Sequence, residues 1–203
     1  PTRRSSDLGS NLVDYLLQRT NHVITAIDNF DSFYSRKTKE QNIVTFKRNA
    51  RCSFIEADIC DIHLERHFAD KKLDVVIHLA AKAGVRPSMH QAASYIQTNI
   101  QGTQNLLDLA VKYRVRHFVF ASSSSVYGEN PNVPWVETEP DLQFISPYAY
   151  TKISGEQLGK LYTHMHGMAF TALRFFAVYG PRQRPDLGIY KFFESISENS
   201  PVK

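Results

Sequence analysis

The sequence predicts an α/β protein built on a doubly wound parallel sheet. Three observations carry that expectation. Short apolar segments alternate with amphipathic ones along the whole 203-residue chain, the pattern of strand–helix–strand units. One segment, LDVVIHLAA (73–81), is almost continuously apolar, as befits a strand covered on both faces. Polar residues of chemical use cluster just after strand-like segments, where ligands bind in open parallel sheets.

The elements follow in order. Residues 10–20 place Leu12, Val13, Leu16 and Leu17 on one helical face. HVITAID then reads as a strand ending on an acid, Asp28. SFYSRKTKEQN is polar, helix or loop, and CSFIEAD is a second strand. Asp61 is placed to cap a short helix in IHLERHFADK. LDVVIHLAA is the third strand, residues 91–113 a long helix, and RHFVFASS the fourth strand. The stretch VYGENPNVPWVETEPDLQFISP is rich in Pro, Asn and acids and reads as loop. Residues 147–166 form a helix, FTALRFF a fifth strand, and a last helix begins near Gly188.

Composition excludes several classes. With 42% hydrophobic and 22% charged residues the chain is globular, not disordered. The net charge of +4 comes without a dense Lys/Arg run, which argues against nucleic acid and leaves an anionic small ligand open. No apolar stretch reaches membrane-spanning length, and PTRRSSDL lacks the apolar core of a secretory signal. Cys52 and Cys60 form no CxxC and no zinc set; two buried thiols in a reducing compartment are expected, so the location expected is cytoplasmic and no metal is expected.

Chemistry concentrates in two motifs. In SPYAYTK, Tyr148 and Lys152 lie four apart and share a helical face. An ammonium beside a phenol favours the phenolate and turns tyrosine into a base near neutral pH. By itself the pair is a weak signal, since packing and a solvated charge give the same spacing. ASSSSVYG lies at a strand end upstream of Tyr148, where hydroxyls can bond a reacting oxygen. Serine, tyrosine and lysine in this order are far more specific together.

On these residues the chain resembles an extended short-chain dehydrogenase/reductase of the NAD-dependent sugar-nucleotide epimerase/dehydratase group. The stretches that carry the resemblance are HVITAIDNF, EADICD, DVVIHLAAKAGVRPS, TNIQGTQNLLDLA, FVFASSSSVYG, SPYAYTK and LRFFAVYGPRQRPD, from about Gly9 to the end. Within the group, AGVRPS, SSSSVYG and RFFAVYGPRQRPD are most similar to UDP-glucuronate 4-epimerases and their relatives. The resemblance implies a Rossmann-like sheet, NAD, and epimerisation at C4 of a UDP-hexose or UDP-hexuronate through a 4-keto sugar.

It also implies roles by position. Tyr148 takes the proton of the sugar 4-hydroxyl, Lys152 lowers its pKa and holds the nicotinamide ribose, and Ser123 is the catalytic hydroxyl. Asp28 binds the adenosine ribose with Asn29 beside it, favouring NAD over NADP. Asp58 and Ile59 flank adenine. Leu79, Ala80, Ala81 and Lys82 line the cofactor, Asn99 faces it, and Phe175 lies near the nicotinamide. Ser125 faces the sugar, and Arg86 and Arg184 are the anion-binding candidates because guanidinium offers a planar fork. Ala177 stands where such epimerases usually carry a hydroxyl or amide, which leaves the sugar open. Relatives that dehydrate or decarboxylate carry an acid after the catalytic hydroxyl; here Ser124 and Ser125 stand there, which favours simple epimerisation over a dehydratase or dehydrogenase. His78, the His164/His166 pair and Trp135 are read as structural.

The family begins with an apolar strand and a glycine-rich turn that cradles the pyrophosphate. Here only Gly9 matches, 19 residues before Asp28, and the preceding PTRRSSDL cannot supply a buried strand. In the order 3-2-1-4-5-6 that first strand is central. The expectation is therefore a sheet with its first strand missing, in a piece of a longer enzyme: a non-native or disordered tail (1–8), an NAD-binding domain (9–180), and the start of a substrate-binding part (181–203). A shortened homologue, or an inactive binding module, is the alternative. Members of the group often dimerise through two helices per subunit, here 91–113 and 147–166.

Overall fold

The structure, a computed structural model, describes residues 5–69 and 71–201. In chain order it contains α1 (Ser10–Arg19), β1 (Ile24–Asp28), α2 (Arg36–Lys47), β2 (Cys52–Glu56), β3 (Val75–His78), α3 (Val85–His90), α4 (Ala92–Ile96), α5 (Gly102–Lys112), β4 (His117–Ser123), α6 (Pro147–His166), β5 (Ala169–Phe175) and α7 (Gly188–Ser197). All strand pairs are parallel. β1 pairs with β2 in one sheet, and β3, β4 and β5 follow in that order in another. Parallel pairs joined through helices are those of a Rossmann-like fold, the class the sequence predicts.

Residues 57–176 form one compact unit, and the described residues before and after them form a second. β1 and β2 pair with each other; β2 packs against α2, and β1 against the Ser5–Gly9 turn.

In the second unit, Val13 and Leu17 on α1 meet Phe30, Ile43 and Phe46, with Ile24, Ala26 and Phe54 packed around them. The helical spacing of the first two residues is what lets one face do this. Ser5–Gly9 is a π-helical turn that runs straight into α1, and Gly9 has φ −62° and ψ −42°. Gly9 thus lies inside continuous helix. Residues 5–8 are helical, with Asp7 buried and its carboxylate accepting from the Leu8 N–H at 2.7 Å; residues 1–4 lie outside the described residues.

In the first unit, Phe118 and Phe120 on β4 stack against Phe170 on β5, and α6 packs on these rings. α6 approaches closely because Gly155 and Gly159 face the sheet. A Cβ at Gly159 would lie 2.1 Å from the Phe170 ring. The long helix expected over 91–113 runs without a break from Ala92 to Lys112, with a π-helical turn, Gln97–Gln101, between α4 and α5; α3 precedes it. The short helix after Asp61 is a 3₁₀ turn, Leu64–His67, and Asp61 accepts from the His63 N–H at 2.9 Å, one residue ahead of it.

Two further expectations are corrected. β3 is not covered on both faces: Val75 is 49% and Ile77 40% exposed, because β3 is the edge of its sheet. The free thiols Cys52 and Cys60 are half-buried, and burial pushes both up, Cys60 to about 11. Among the described residues no helix is long and apolar enough to cross a membrane.

Candidate active site

β4 delivers the serines. It ends at Ser123, and a 3₁₀ turn, Ser124–Tyr127, follows, anchored by fully buried Val126. The Ser123 hydroxyl caps that turn, accepting from the Ser125 N–H at 3.2 Å and lying 3.2 Å from the Ser125 hydroxyl. β4 and β5 pair Ser123 with Phe175, so the two residues sit side by side at the sheet's C-terminal end.

α6 delivers the tyrosine and the lysine. Ser146 caps its N-terminus by accepting from the Ala149 N–H at 3.1 Å, and Pro147 supplies the preset first-turn φ. Tyr148 and Lys152 then fall on the buried face, 2% and 1% exposed. The Lys152 ammonium donates to the Ala121 carbonyl at 2.8 Å and lies 4.9 Å from the Phe120 ring centroid and 5.9 Å from that of Tyr148. Tyr95 meets the Tyr148 ring edge-on at 6.3 Å, and the Ser88 hydroxyl accepts from the Tyr148 N–H at 3.2 Å. Tyr148 is thus held from α3 and α4, with the Lys152 ammonium near its ring.

The segment after β3 is braced by Asn99 in the π turn. Asn99 Oδ1 accepts from the Lys82 N–H at 2.7 Å, and its Nδ2 donates to the Lys82 carbonyl at 2.9 Å and to Thr151 Oγ1 at 3.0 Å. At 1% exposure, the Asn99 amide faces protein groups on every side. Its work is to hold residues 79–82, of which Ala80 and Ala81 are small and buried. Asp58 accepts from the Cys60 N–H at 2.8 Å, and Ile59 beside it is buried. Arg86, in the first turn of α3, is exposed.

His78 ends β3, 2.9 Å from Thr103 Oγ1. Thr103 gives its own proton to the Asn99 carbonyl at 2.6 Å, so the imidazole Nε2–H must be the donor. Burial, and then the Lys152 charge, push His78 down to about 3, leaving it neutral. Trp135 is stacked 5.0 Å from Tyr127 and 6.0 Å from Phe176. His164 and His166 are exposed, and among the described residues no group of three metal-binding side chains occurs.

The second unit carries the remaining candidates. Asp28 ends β1, 4% exposed, and its Oδ1 accepts from the Phe30 N–H at 2.7 Å. Asn29 accepts from the Asp31 N–H at 3.1 Å. Arg184 is 6% exposed, and its fork grips Asp186 at 2.9 and 2.7 Å above the Phe33 ring.

The model of the NAD dependent epimerase/dehydratase family matches residues 6–202. The chain belongs to that family. UDP-glucuronate 4-epimerase 4 of Arabidopsis thaliana is 38% identical over 192 residues, 94% of this chain and 44% of that protein. UDP-glucuronate 4-epimerase of Thermodesulfobacterium geofontis is 36% identical over 198 residues, 97% of this chain and 60% of that protein. The crystal structure of UDP-glucuronic acid 4-epimerase from Bacillus cereus, with UDP-glucuronic acid and NAD, matches at TM-score 0.89 and 35% identity, covering 98% of this chain and 62% of that one. The chain thus spans about six tenths or less of the length of these relatives.

Sequence reasoning about this epimerase-family chain passed over three polar side chains beside the serines. Ser122, Glu156 and Arg174 are all buried or nearly so and bonded to one another. One signal was legible: Glu156 lies four residues after Lys152, on the face of α6 that packs inward.

Proposed function

We propose that this chain carries the catalytic residues of an NAD-dependent nucleotide-sugar 4-epimerase acting on a UDP-hexose or UDP-hexuronate. The observation that carries the reading is the placement of Tyr148 and Lys152 on one buried face of α6, with the Lys152 ammonium crossing to the strand that ends in Ser123. Relatives named as UDP-glucuronate 4-epimerases support the substrate class.

In this reading Tyr148 removes the proton of the sugar 4-hydroxyl. The Lys152 charge stabilises the resulting phenolate, and the Ser123 hydroxyl, steadied by Ser125, bonds the oxygen as it becomes a carbonyl. NAD, when bound, supplies a hydride acceptor that is regenerated in each cycle. The 4-keto sugar would turn so that C4 regains its hydrogen on the opposite face, which inverts the centre, while Tyr148 returns the proton to the 4-oxygen. A positioned base contributes about 10²–10⁴-fold, and fixed geometry much of the rest.

The residues present fit the two ribose ends of the dinucleotide. Lys152 and Tyr148 suit the nicotinamide ribose, with Phe175, Leu79, Ala80, Ala81 and the Asn99-braced Lys82 lining that end. Asp28, an acid at a strand end, suits the adenosine ribose, with Asn29 next to it in the chain; in the other unit, Asp58 and Ile59 are the candidates for the adenine. Gly9, where α1 begins, is the candidate at the pyrophosphate end, since the absence of a side chain there allows close approach. Arg86 is open to a phosphate or carboxylate, whereas Arg184 would share its fork with Asp186. A homodimer through α4–α5 and α6 accords with the exposure of Ile96, Tyr150, Leu161 and Met165.

A dTDP-glucose 4,6-dehydratase from Streptomyces venezuelae matches at TM-score 0.84 and 28% identity, so elimination is the second reading. Ser124 and Ser125 offer it hydroxyls where elimination needs an acid. Incubation of the chain with UDP-glucuronate and catalytic NAD, followed by NMR of the sugar, tests the proposal. The C4 epimer without net NADH is the expected product. A 4-keto-6-deoxy product from a UDP- or dTDP-hexose, stoichiometric NADH, or no conversion of any UDP-hexose or UDP-hexuronate would overturn it.

A further inference from the structure

Glu156 is a buried carboxylate that the mechanism above does not use. It is 2% exposed, on the turn of α6 after Lys152. It accepts from the Ser122 hydroxyl at 2.5 Å and from the Arg174 fork at 3.0 and 2.9 Å. Short, charge-assisted and bidentate bonds of this kind fix geometry more tightly than neutral ones. Arg174 Nη1 also donates to the Tyr127 hydroxyl at 3.1 Å and to the Glu137 carbonyl at 3.3 Å, and Tyr127 donates to the Val136 carbonyl at 3.1 Å.

The members of this cluster have informative neighbours. Ser122 and Arg174 are register partners on β4 and β5, one residue before the partners Ser123 and Phe175. Successive strand side chains point to opposite faces, so clamping Ser122 and Arg174 to α6 fixes how Ser123 and Phe175 project on the other side. Tyr127 ends the 3₁₀ turn that carries Ser125. Glu156 is four residues from Lys152 and eight from Tyr148 on one rigid helix. Every element that holds a candidate catalytic side chain is therefore tied to one carboxylate.

A purely stabilising role accounts less well for the cluster. Buried ion pairs are commonly neutral in stability against well-packed apolar residues, so stability alone gives little reason to place one here. We propose that Ser122, Glu156 and Arg174 are positioning residues that hold Ser123 in register with Tyr148 and Lys152. The proposal rests on the epimerase reading above for its catalytic consequence, and on geometry alone for the positioning itself.

Two variants test it in the chain as it stands. Ser122→Ala removes one bond and leaves the ion pair. Glu156→Gln keeps the shape and removes the charge. Both are expected to lower kcat, counted per NAD-binding site, by about tenfold or more while KM for the nucleotide sugar stays within about twofold, since no ligand contact is touched. Amide hydrogen exchange at residues 123–127 and 148–152 is expected to quicken at least tenfold in Glu156→Gln, with α1 and β1, in the other unit, unchanged; this readout needs no activity. Glu156→Asp, which restores the charge, is expected to recover part of the rate. Wild-type kcat in both variants, or exchange that quickens equally throughout the first unit, would overturn the positioning role. Absence of turnover in the unsubstituted chain would overturn the epimerase reading, and the exchange pattern would still decide the positioning.

Discussion

Gly155 on α6 lies against Phe120 on β4 so closely that a Cβ at this position would sit 2.4 Å from the ring's Cζ. Phe120 is 1% exposed, and the Lys152 ammonium lies over the same ring, 4.9 Å from its centroid. The glycine therefore sets the depth at which α6 seats, and with it the reach of Lys152 toward the Ala121 carbonyl.

Gly155→Ala is expected to destabilise the chain. Alanine is the better helix former by about 0.5–1 kcal/mol, but overpacking against a buried ring costs about 1–3 kcal/mol. A lower urea midpoint at unchanged m-value is the expected outcome. A midpoint at or above that of the unsubstituted chain would show that the ring can yield.

Tyr148→Phe removes one oxygen from a ring that keeps its contacts with Tyr95 and Ala83. Turnover is expected to fall by about 10²–10⁴-fold, the usual worth of a positioned base, with the thermal transition retained. Retained turnover would exclude Tyr148 as the base.

His78 makes stability depend on pH in a defined direction. Folded, its imidazole stays neutral down to about pH 3; unfolded, it protonates near 6.5. Between these values the unfolded chain binds one more proton, so stability is complete above 6.5 and falls as pH drops, by about 1.4 kcal/mol per unit. His78→Leu removes the titrating group and leaves Thr103 bonded to the Asn99 carbonyl. Denaturant melts between pH 4 and 7 should show a shallower fall for the variant; parallel slopes would contradict the assignment.

Asp28→Ser keeps an oxygen able to accept from the Phe30 N–H and removes the negative charge. NAD affinity is expected to fall about tenfold, the scale of one lost charged hydrogen bond, while NADP affinity rises because its 2′-phosphate is no longer repelled. Calorimetry with both dinucleotides checks this, and an unchanged NAD-to-NADP ratio would place the ribose elsewhere.

Much of the architecture was legible because it is locally encoded. The apolar spacing of Val13 and Leu17 marks α1, and Ser146–Pro147 marks the start of α6. The acid that ends HVITAID marks the end of β1. The parallel pairing within each sheet agrees with the alternation of strand-like and helical segments. Reading LDVVIHLAA as doubly covered failed for the same reason that its composition was informative. Apolar residues record how a strand is used in the family, whereas exposure depends on which neighbours are at hand, and β3 is an edge.

The sequence by itself determined the order of elements, the spacing of Tyr148 and Lys152 on one helical face, and the serines at the end of β4, since helical and strand periods follow from local chain geometry. Tertiary structure alone decided that the Asn99 amide braces Lys82 and that Glu156 joins Ser122 and Arg174. These depend on contacts across 17, 34 and 18 residues. No local period encodes such contacts, because they form only when separate elements are brought to one depth and one register.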